Sequence, residues 1–217
     1  MSCLGWNRLW IFLVGLVFLG ACAVGNKHAY HTVTADLAAS GSGRISVATH
    51  DQRPYVLQQA KGPQFVGLSR GGYGNPFDVT TEDDRPLTDG MTQAISNSLA
   101  KKGFRPVPVF VPLFESPESV RKMLMQTGVD RAILLTLREW KSDTYMNTAL
   151  HYDVTLNVLD RTGRVIGEKR LQGGDHLGGD AINPPAHARE AVPKAFKAKL
   201  EELLNDPAVA NALRPSQ

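Results

Sequence analysis

Apolar positions between residues 44 and 205 recur with two different periods along the chain. Alternation of apolar and polar residues, which is the period of a strand, predicts strands in some segments, and spacings of three and four predict helices in others. The predicted strands cover residues 44–51, 65–69, 104–111, 130–140, 150–158 and 164–171, and the predicted helices cover residues 86–102, 116–128 and 183–203.

The predicted helices carry start and stop signals as well as an apolar face. Ser116 and Asn183 stand at N-cap positions directly before proline. Gly103 and Gly128 stand where the first two helices should end. The element order is β-β-α-β-α-β-β-β-α, which predicts an α+β fold: a two-layer mixed β-sheet with helices mainly on one face.

The clearest pair of strands is a hairpin near the end of the chain. Residues 150–158 alternate without a break, and a turn at Asp160–Gly163 leads into the returning strand over residues 164–171. Residues 173–179 contain several glycines and are interpreted as a loose connection to the last helix.

A glycine-rich segment, Gly71–Pro76, follows the second strand. It lacks the Lys-Ser/Thr pair of a phosphate-binding P-loop and does not lead directly into a helix, as a dinucleotide-binding loop does. We therefore interpret it as a mobile or tightly turned loop. Together with an exposed edge of the sheet, it is one of two candidate surfaces for binding a protein partner.

The pattern changes completely at the start of the chain. Arg8 gives a positive N-terminal region, and residues 9–19 are a continuous apolar run apart from one glycine. This run has the length of a signal peptide and is too short for a transmembrane helix, which needs about 20 apolar residues. We predict that residues 1–21 are a signal peptide, cut between Ala21 and Cys22.

The apolar run ends in Leu19-Gly20-Ala21-Cys22, which resembles the lipobox of bacterial lipoproteins. The resemblance implies that lipid is attached to the Cys22 thiol, that cleavage makes Cys22 the new N-terminus, and that further acyl chains are added there. Two or more acyl chains hold a protein on a bilayer almost permanently. Two alternatives remain open: an uncleaved N-terminal anchor helix, and an ordinary signal peptide with Cys22 as an incidental residue.

Residues 22–43 are interpreted as the lipidated cysteine and a flexible tether. They show no sustained apolar period and end in the small residues 38–43. His28 and His31 lie within this segment and could share a metal ion in principle. An isolated pair lacks the third and fourth ligands of a metal site, so we predict none.

Composition limits the class of partner. The chain has 217 residues, of which 42% are hydrophobic and 21% are charged, values that are ordinary for one globular domain. Its formal net charge is only +3, and basic residues are mixed with acidic ones, so no positive stripe suits nucleic acid. Cys3 and Cys22 both precede the predicted domain, which therefore has neither a disulfide nor a thiolate site.

Candidate catalytic residues are few. The run Glu82–Asp84 and the pair Asp175-His176, with Asp180 nearby, offer carboxylates and an imidazole. Neither group has the spacing of a hydrolase or metalloprotease motif, and adjacent acids in a loop are usually solvated turn formers. His151 is interpreted as a surface residue of the hairpin. We predict no catalytic residue, no small-molecule substrate and no cofactor apart from the lipid on Cys22.

Four segments in this order resemble the YajG-type family of small envelope lipoproteins. They are the lipobox, Asp51-Gln52-Arg53 at the end of the first strand, Leu99–Phe104 at the end of the first helix, and Val129–Ala132 at the start of a later strand. The resemblance covers most of residues 44–205, and extends more distantly to periplasmic lipoproteins with an anticodon-binding-like α+β domain. It implies an envelope protein without a defined reaction.

The predicted protein is thus a non-enzymatic envelope lipoprotein with a signal peptide (1–21), a tether (22–43), an α+β domain (44–205) and a C-terminal tail (206–217). Its partners are the membrane, through the lipid, and another envelope protein. Ala23 follows Cys22, where aspartate would retain an enteric lipoprotein in the inner membrane, so the periplasmic side of the outer membrane is predicted. The alternatives are an auxiliary lipoprotein that activates a cell-wall synthase or serves a transport complex, and a cell-envelope hydrolase.

Overall fold

The computed structural model describes residues 26–214. The predicted signal peptide, its cleavage site at Ala21 and Cys22, and the predicted lipidation of Cys22 lie outside the described residues. Within residues 26–214, no helix is both long and apolar enough to cross a membrane.

The described chain forms eight strands and five helices in the order that follows. The strands are β1 (Lys27–His28), β2 (Arg44–Asp51), β3 (Phe65–Arg70), β4 (Pro76–Thr81), β5 (Arg105–Pro108), β6 (Arg131–Thr144), β7 (Asn147–Asp160) and β8 (Val165–Gly179). The helices are α1 (Pro54–Leu57), α2 (Leu87–Lys101), α3 (Pro117–Met125), α4 (Pro184–Leu204) and α5 (Pro207–Leu213). Every predicted element has a counterpart, and β1, α1, β4 and α5 are additional.

All the strands belong to one mixed sheet centred on β6. β7 runs antiparallel along one edge of β6, and β8 pairs with the far side of β7. The other edge of β6 is divided: residues 131–137 pair parallel with β2, and residues 142–144 pair parallel with β3. β5 extends the sheet beyond β2, and β4 and β1 extend it beyond β3.

The helices cover the two faces of this sheet unequally. Side chains of α2, α4 and α5 form the main core on one face, where Trp140 and Phe196 are buried. On the other face, Val120 and Leu124 of α3 cover a smaller cluster that includes Leu134. The predicted α+β fold, with a mixed sheet and helices mainly on one face, is therefore confirmed.

A buried ion pair lies between the end of β2 and the start of β3. Arg53 is completely buried, and its guanidinium donates to both carboxylate oxygens of Asp51 at 2.9 and 2.7 Å. It also donates to the carbonyl oxygens of Phe65 at 2.6 Å and Pro63 at 3.0 Å. The Asp51–Arg53 segment therefore connects the end of β2 to the start of β3 through side-chain hydrogen bonds.

The prediction of a flexible tether is wrong for residues 26–43, which pack against the domain. Tyr30 is 1% exposed, and its hydroxyl accepts a hydrogen bond from Trp140 Nε1 at 2.9 Å. The backbone N–H of Ala35 donates to Ser98 Oγ at 2.8 Å. Side chains of distant helices and strands form the hydrogen bonds and packing contacts of this segment, so its sequence needs no strand or helix period of its own.

The boundaries predicted near the end of the chain are wrong in two places. Residues 173–179 are the last half of β8, not a loose connection; glycines carry no side chain, so the strand period is invisible there. Residues 206–214 of the predicted tail contain α5, whose first turn is capped when Asp206 Oδ1 accepts a bond from Ala208 N at 3.0 Å. Val209 and Leu213 bury the apolar side of this helix.

We predict that Tyr30→Ala lowers the free energy of unfolding by about 3 to 5 kcal/mol, because it removes a buried ring that contacts Trp140 and Phe196. Urea unfolding followed by tryptophan fluorescence measures the change. Tyr73→Ala, at a fully exposed position, is the control and should stay within about 0.5 kcal/mol of the wild type. Equal stability of the two variants would restore the tether interpretation.

A second prediction concerns pH. Burial lowers the pKa of His28 from 6.5 to about 4, and the positive charge of Arg189 contributes to the lowering. The unfolded chain therefore binds the His28 proton more tightly, so the unfolding free energy falls by on the order of 3 kcal/mol as pH falls from about 6.5 to about 4. Urea midpoints measured across this range should depend less on pH in His28→Gln. His151→Gln, at an exposed site, should keep the wild-type dependence.

Candidate functional site

The outer edge of β8 is the longest unpaired strand edge in the described sheet. β1 has two residues, and β5 has four, of which Pro106 and Pro108 carry no backbone N–H. Short strands and prolines of this kind protect a sheet edge against pairing. β8 has fifteen residues and no proline, and no described strand pairs with its outer side. An extended polypeptide can therefore add to this sheet most readily along β8.

Charge divides β8 into a protected half and an open half. Glu168–Arg170 places three consecutive charged residues in the first half, and charged side chains discourage strand addition at an edge. The second half, Gln172–Gly179, contains one acid, Asp175, and four glycines. Glycine leaves room for the close approach of another backbone. The open half is thus the part of the edge suited to binding.

A groove of about 520 Å³ runs between this open half and α4. Its lining includes Leu177 of β8 and, on α4, the small side chains Ala191, Ala195 and Ala198. The polar and charged lining residues are Asp175, His176, His187, Glu190, Lys194 and Lys199. Successive side chains of a strand point to opposite faces, so a strand added to β8 would direct every second side chain toward α4. We call the outer edge of Gln172–Gly179 together with this groove the edge groove.

An ion pair fixes one wall of the edge groove. Lys199 Nζ lies 2.9 Å from Asp175 Oδ2 and donates to the Tyr152 hydroxyl oxygen at 3.0 Å. The Tyr152 hydroxyl in turn donates to Asp175 Oδ1 at 3.0 Å. Partial burial opposes the charge of Lys199, but the hydrogen bonds to Tyr152 and Asp175 outweigh it and raise the pKa of Lys199. Lys199 is therefore a permanent cation of the wall.

The acidic residues considered for catalysis have separate structural partners. Asp175 bonds to Tyr152 and Lys199. Asp180 accepts hydrogen bonds from two backbone N–H groups, of Ile182 at 2.7 Å and Asn183 at 2.9 Å, at the start of α4. The run Glu82–Asp84 lies in the connection before α2, where Asp84 pairs with Lys27.

The histidines are also separated. His28 Nε2 lies 3.4 Å from Ser142 Oγ in the interior, whereas His31 Nδ1 lies 3.6 Å from Asp83 Oδ2. His151 is exposed on the sheet face opposite the main core, where it lines a depression of about 480 Å³. Among residues 26–214, no three His, Cys, Asp or Glu side chains are grouped so that they could hold a metal ion.

The glycine-rich segment is a tight turn between β3 and β4, as one of the two sequence interpretations predicted. Gly71 N donates to Asn75 O at 2.9 Å, and Gly74 N donates to Gly71 O at 2.8 Å. Gly74 has φ +81°, a backbone conformation that favours glycine. The segment leads into a strand, so it has no helix N-terminus with which to bind phosphate.

A cavity of about 660 Å³ lies where β2 and β6 begin and β7 turns into β8. Its lining includes five arginines: Arg44, Arg131, Arg161, Arg164 and Arg214. Arg164 pairs with Asp160 at 3.2 Å, and Arg131 Nε donates to the carbonyl of Ala212 in α5 at 3.1 Å. These contacts hold the β7–β8 turn and the C-terminal helix against the sheet, which is a structural role.

No family model matches the chain, and no curated protein matches it. Among solved structures, a Xanthomonas campestris protein of family DUF330 is similar with a TM-score of 0.47 and 13% identity, over 87% of this chain and 95% of that one. Lipoprotein GNA1162 from Neisseria meningitidis is similar with a TM-score of 0.27 and 11% identity, over 72% of this chain and 99% of that one. The LpoB C-terminal domain from Salmonella enterica is similar with a TM-score of 0.29 and 11% identity, over 64% of this chain and 88% of that one.

Proposed function

We propose that the chain is a non-enzymatic envelope lipoprotein, anchored through lipid on Cys22, whose domain binds an extended segment of another envelope protein at the edge groove. Ala23 in the position after Cys22 favours the periplasmic side of the outer membrane. The observation that carries the binding function is the proline-free outer edge of β8, with which no described strand pairs, beside a groove.

Strand addition at an edge has two sources of energy. Main-chain hydrogen bonds supply affinity with little dependence on sequence, and pockets for alternate side chains supply specificity. The lining of the edge groove is apolar at Ala191 and Ala198 and charged at Glu190 and Lys194. The partner segment should therefore be extended, with apolar side chains at alternate positions and charged residues beside them.

Two alternatives differ in what they require of this surface. An auxiliary lipoprotein of a cell-wall synthase or a transport complex would use the same edge groove, and only the identity of the partner distinguishes it. A cell-envelope hydrolase would require a base or nucleophile that is free to react. The bonds among Asp175, Lys199 and Tyr152 hold these groups as a structural wall, which favours binding over hydrolysis.

We expect mature protein from membrane-fractionated cells to begin at an acylated Cys22, and Cys22→Ala to stay unprocessed or become soluble, because no other thiol near the cleavage site can accept the lipid. Mass spectrometry of the N-terminal peptide measures both. A wild-type protein that retains residues 1–21 without lipid would contradict the anchor.

For the binding function, we expect a photoreactive phenylalanine analogue at His176 of the full-length protein to cross-link a discrete envelope protein in cells. Ala198→Arg should reduce that product at least tenfold, because a long cationic side chain fills the groove while remaining compatible with a helix. Immunoblotting and mass spectrometry of the adduct provide the measurement.

The matched control is Ala100→Arg, which makes the same change at an exposed alanine of α2, outside the edge groove. It should leave the adduct unchanged. If both arginine variants reduce the cross-link equally, or neither does, the edge groove is not the binding surface.

A further inference from the structure

Three connections meet at one end of the sheet. They are the turns Gly71–Asn75 and Tyr145–Met146 and the loop Asp180–Ile182. The Tyr145 hydroxyl donates to the carbonyl of Gly72 at 3.2 Å, and Asp180 N donates to the carbonyl of Met146 at 3.2 Å. The three connections therefore form one continuous surface, which we call the tip surface.

The tip surface exposes large apolar side chains. Tyr73 and Ile182 are 103% and 95% exposed, and Met146 and Tyr145 are 53% and 45% exposed. The other exposed large apolar residues of the described chain are Phe110, Phe114 and Val165, none of which is in the tip surface. These four side chains on three adjoining connections form an exposed apolar patch, and the hydration of such a patch is unfavourable in free energy.

The tip surface has almost no charge. Asp180 is its one charged residue, and the Asp180 carboxylate is occupied by backbone N–H groups of Ile182 and Asn183. Directly behind the glycine turn, Arg70 forms two hydrogen bonds with the Asp143 carboxylate at 2.8 and 2.6 Å, so its charge is paired. The surface thus offers apolar contact without a pattern of charges that a charged protein partner would match.

The N-terminal strand leads toward this same end. β1 is parallel to β4, and β4 begins directly after the glycine turn. Lys27 pairs with Thr80, so Asn26 stands about three residues, or about 10 Å, from the start of β4. The far end of β6 is more than ten residues away along the sheet, about 35 Å from Asn26.

The covalent chain limits how far the lipid can be from the tip surface. Four residue steps separate Cys22 from Asn26. A fully extended chain spans at most about 3.6 Å per residue, so Cys22 stays within about 14 Å of Asn26. A bilayer that holds lipid attached to Cys22 is therefore close to the tip surface and far from the arginine-lined cavity at the other end.

We propose that the tip surface rests on the lipid bilayer, with the side chains of Tyr73, Tyr145, Met146 and Ile182 in the headgroup region. This inference rests on the proposed lipidation of Cys22. Tyrosine suits this depth, because its ring is apolar and its hydroxyl still reaches water or headgroups. The contact sets the strands upright on the membrane, so the edge of β8 faces sideways with its open half nearest the bilayer.

The test uses full-length protein, lipidated in cells and reconstituted into vesicles of phosphatidylethanolamine and phosphatidylglycerol. Single cysteines are introduced as Tyr73→Cys or Ile182→Cys and labelled with an environment-sensitive fluorophore. Residues 23–217 contain no cysteine, so the label reports one position once Cys22 carries lipid. The matched control is Arg161→Cys, in the exposed β7–β8 turn at the other end of the sheet. Spin-labelled lipid serves as the quencher.

We expect lipid to quench the label at positions 73 and 182 several-fold more strongly than at position 161, with a blue-shifted emission at the first two positions only. Equal quenching at all three positions, with an acylated Cys22 by mass spectrometry, would overturn the tip contact and leave the anchor intact. A blue shift at positions 73 and 182 without lipid quenching would mean that another protein copy covers the tips, which also overturns the proposal. An unmodified Cys22 would instead refute the anchor and remove the basis of the tip contact with it.

Discussion

The guanidinium of Arg53 holds two sections of the sheet together. β6 presents one edge to both β2 and β3, and its residues 138–141 have no strand partner there. Arg53 spans this gap by bonding Asp51 at the end of β2 and the carbonyl that begins β3. Next to it, the Tyr55 hydroxyl donates to the carbonyl of Trp140 at 3.2 Å, which satisfies part of the unpaired edge. A buried cation is costly, and it is tolerated here because a carboxylate and carbonyls replace water.

The elements that could be predicted are those in which apolar residues recur at strand or helix spacing and form the buried face. β7 alternates along its whole length, and α2 and α3 carry caps or stop signals beside an apolar face, so each was found in nearly the right place. The N-terminal segment was missed because Tyr30 and Ala35 find their partners more than sixty residues away. α5 does carry a sequence signal: an N-cap Asp206, a proline after it, and apolar residues at helical spacing.

The candidate site was predicted only as a general possibility. An exposed sheet edge was expected, but which strand ends the sheet depends on pairing between distant segments, and residue period does not encode that order. The glycines in the second half of β8 led to the prediction of a loop there, and the same glycines leave the edge of that strand open. The small side chains of Ala191, Ala195 and Ala198 follow helical spacing, yet their role in a groove depends on where β8 lies.

The packing of the N-terminal segment also sets an order of events during synthesis. Asp36 N and Ala38 N bond to side chains of Glu201 and Asn205, which follow them by 165 and 167 residues. The N-terminal segment can therefore dock only after almost the last residues of the domain have been made, and closing so long a loop is slow. The two ends of the described chain are therefore held by one set of contacts, and neither end can dock before the other is present.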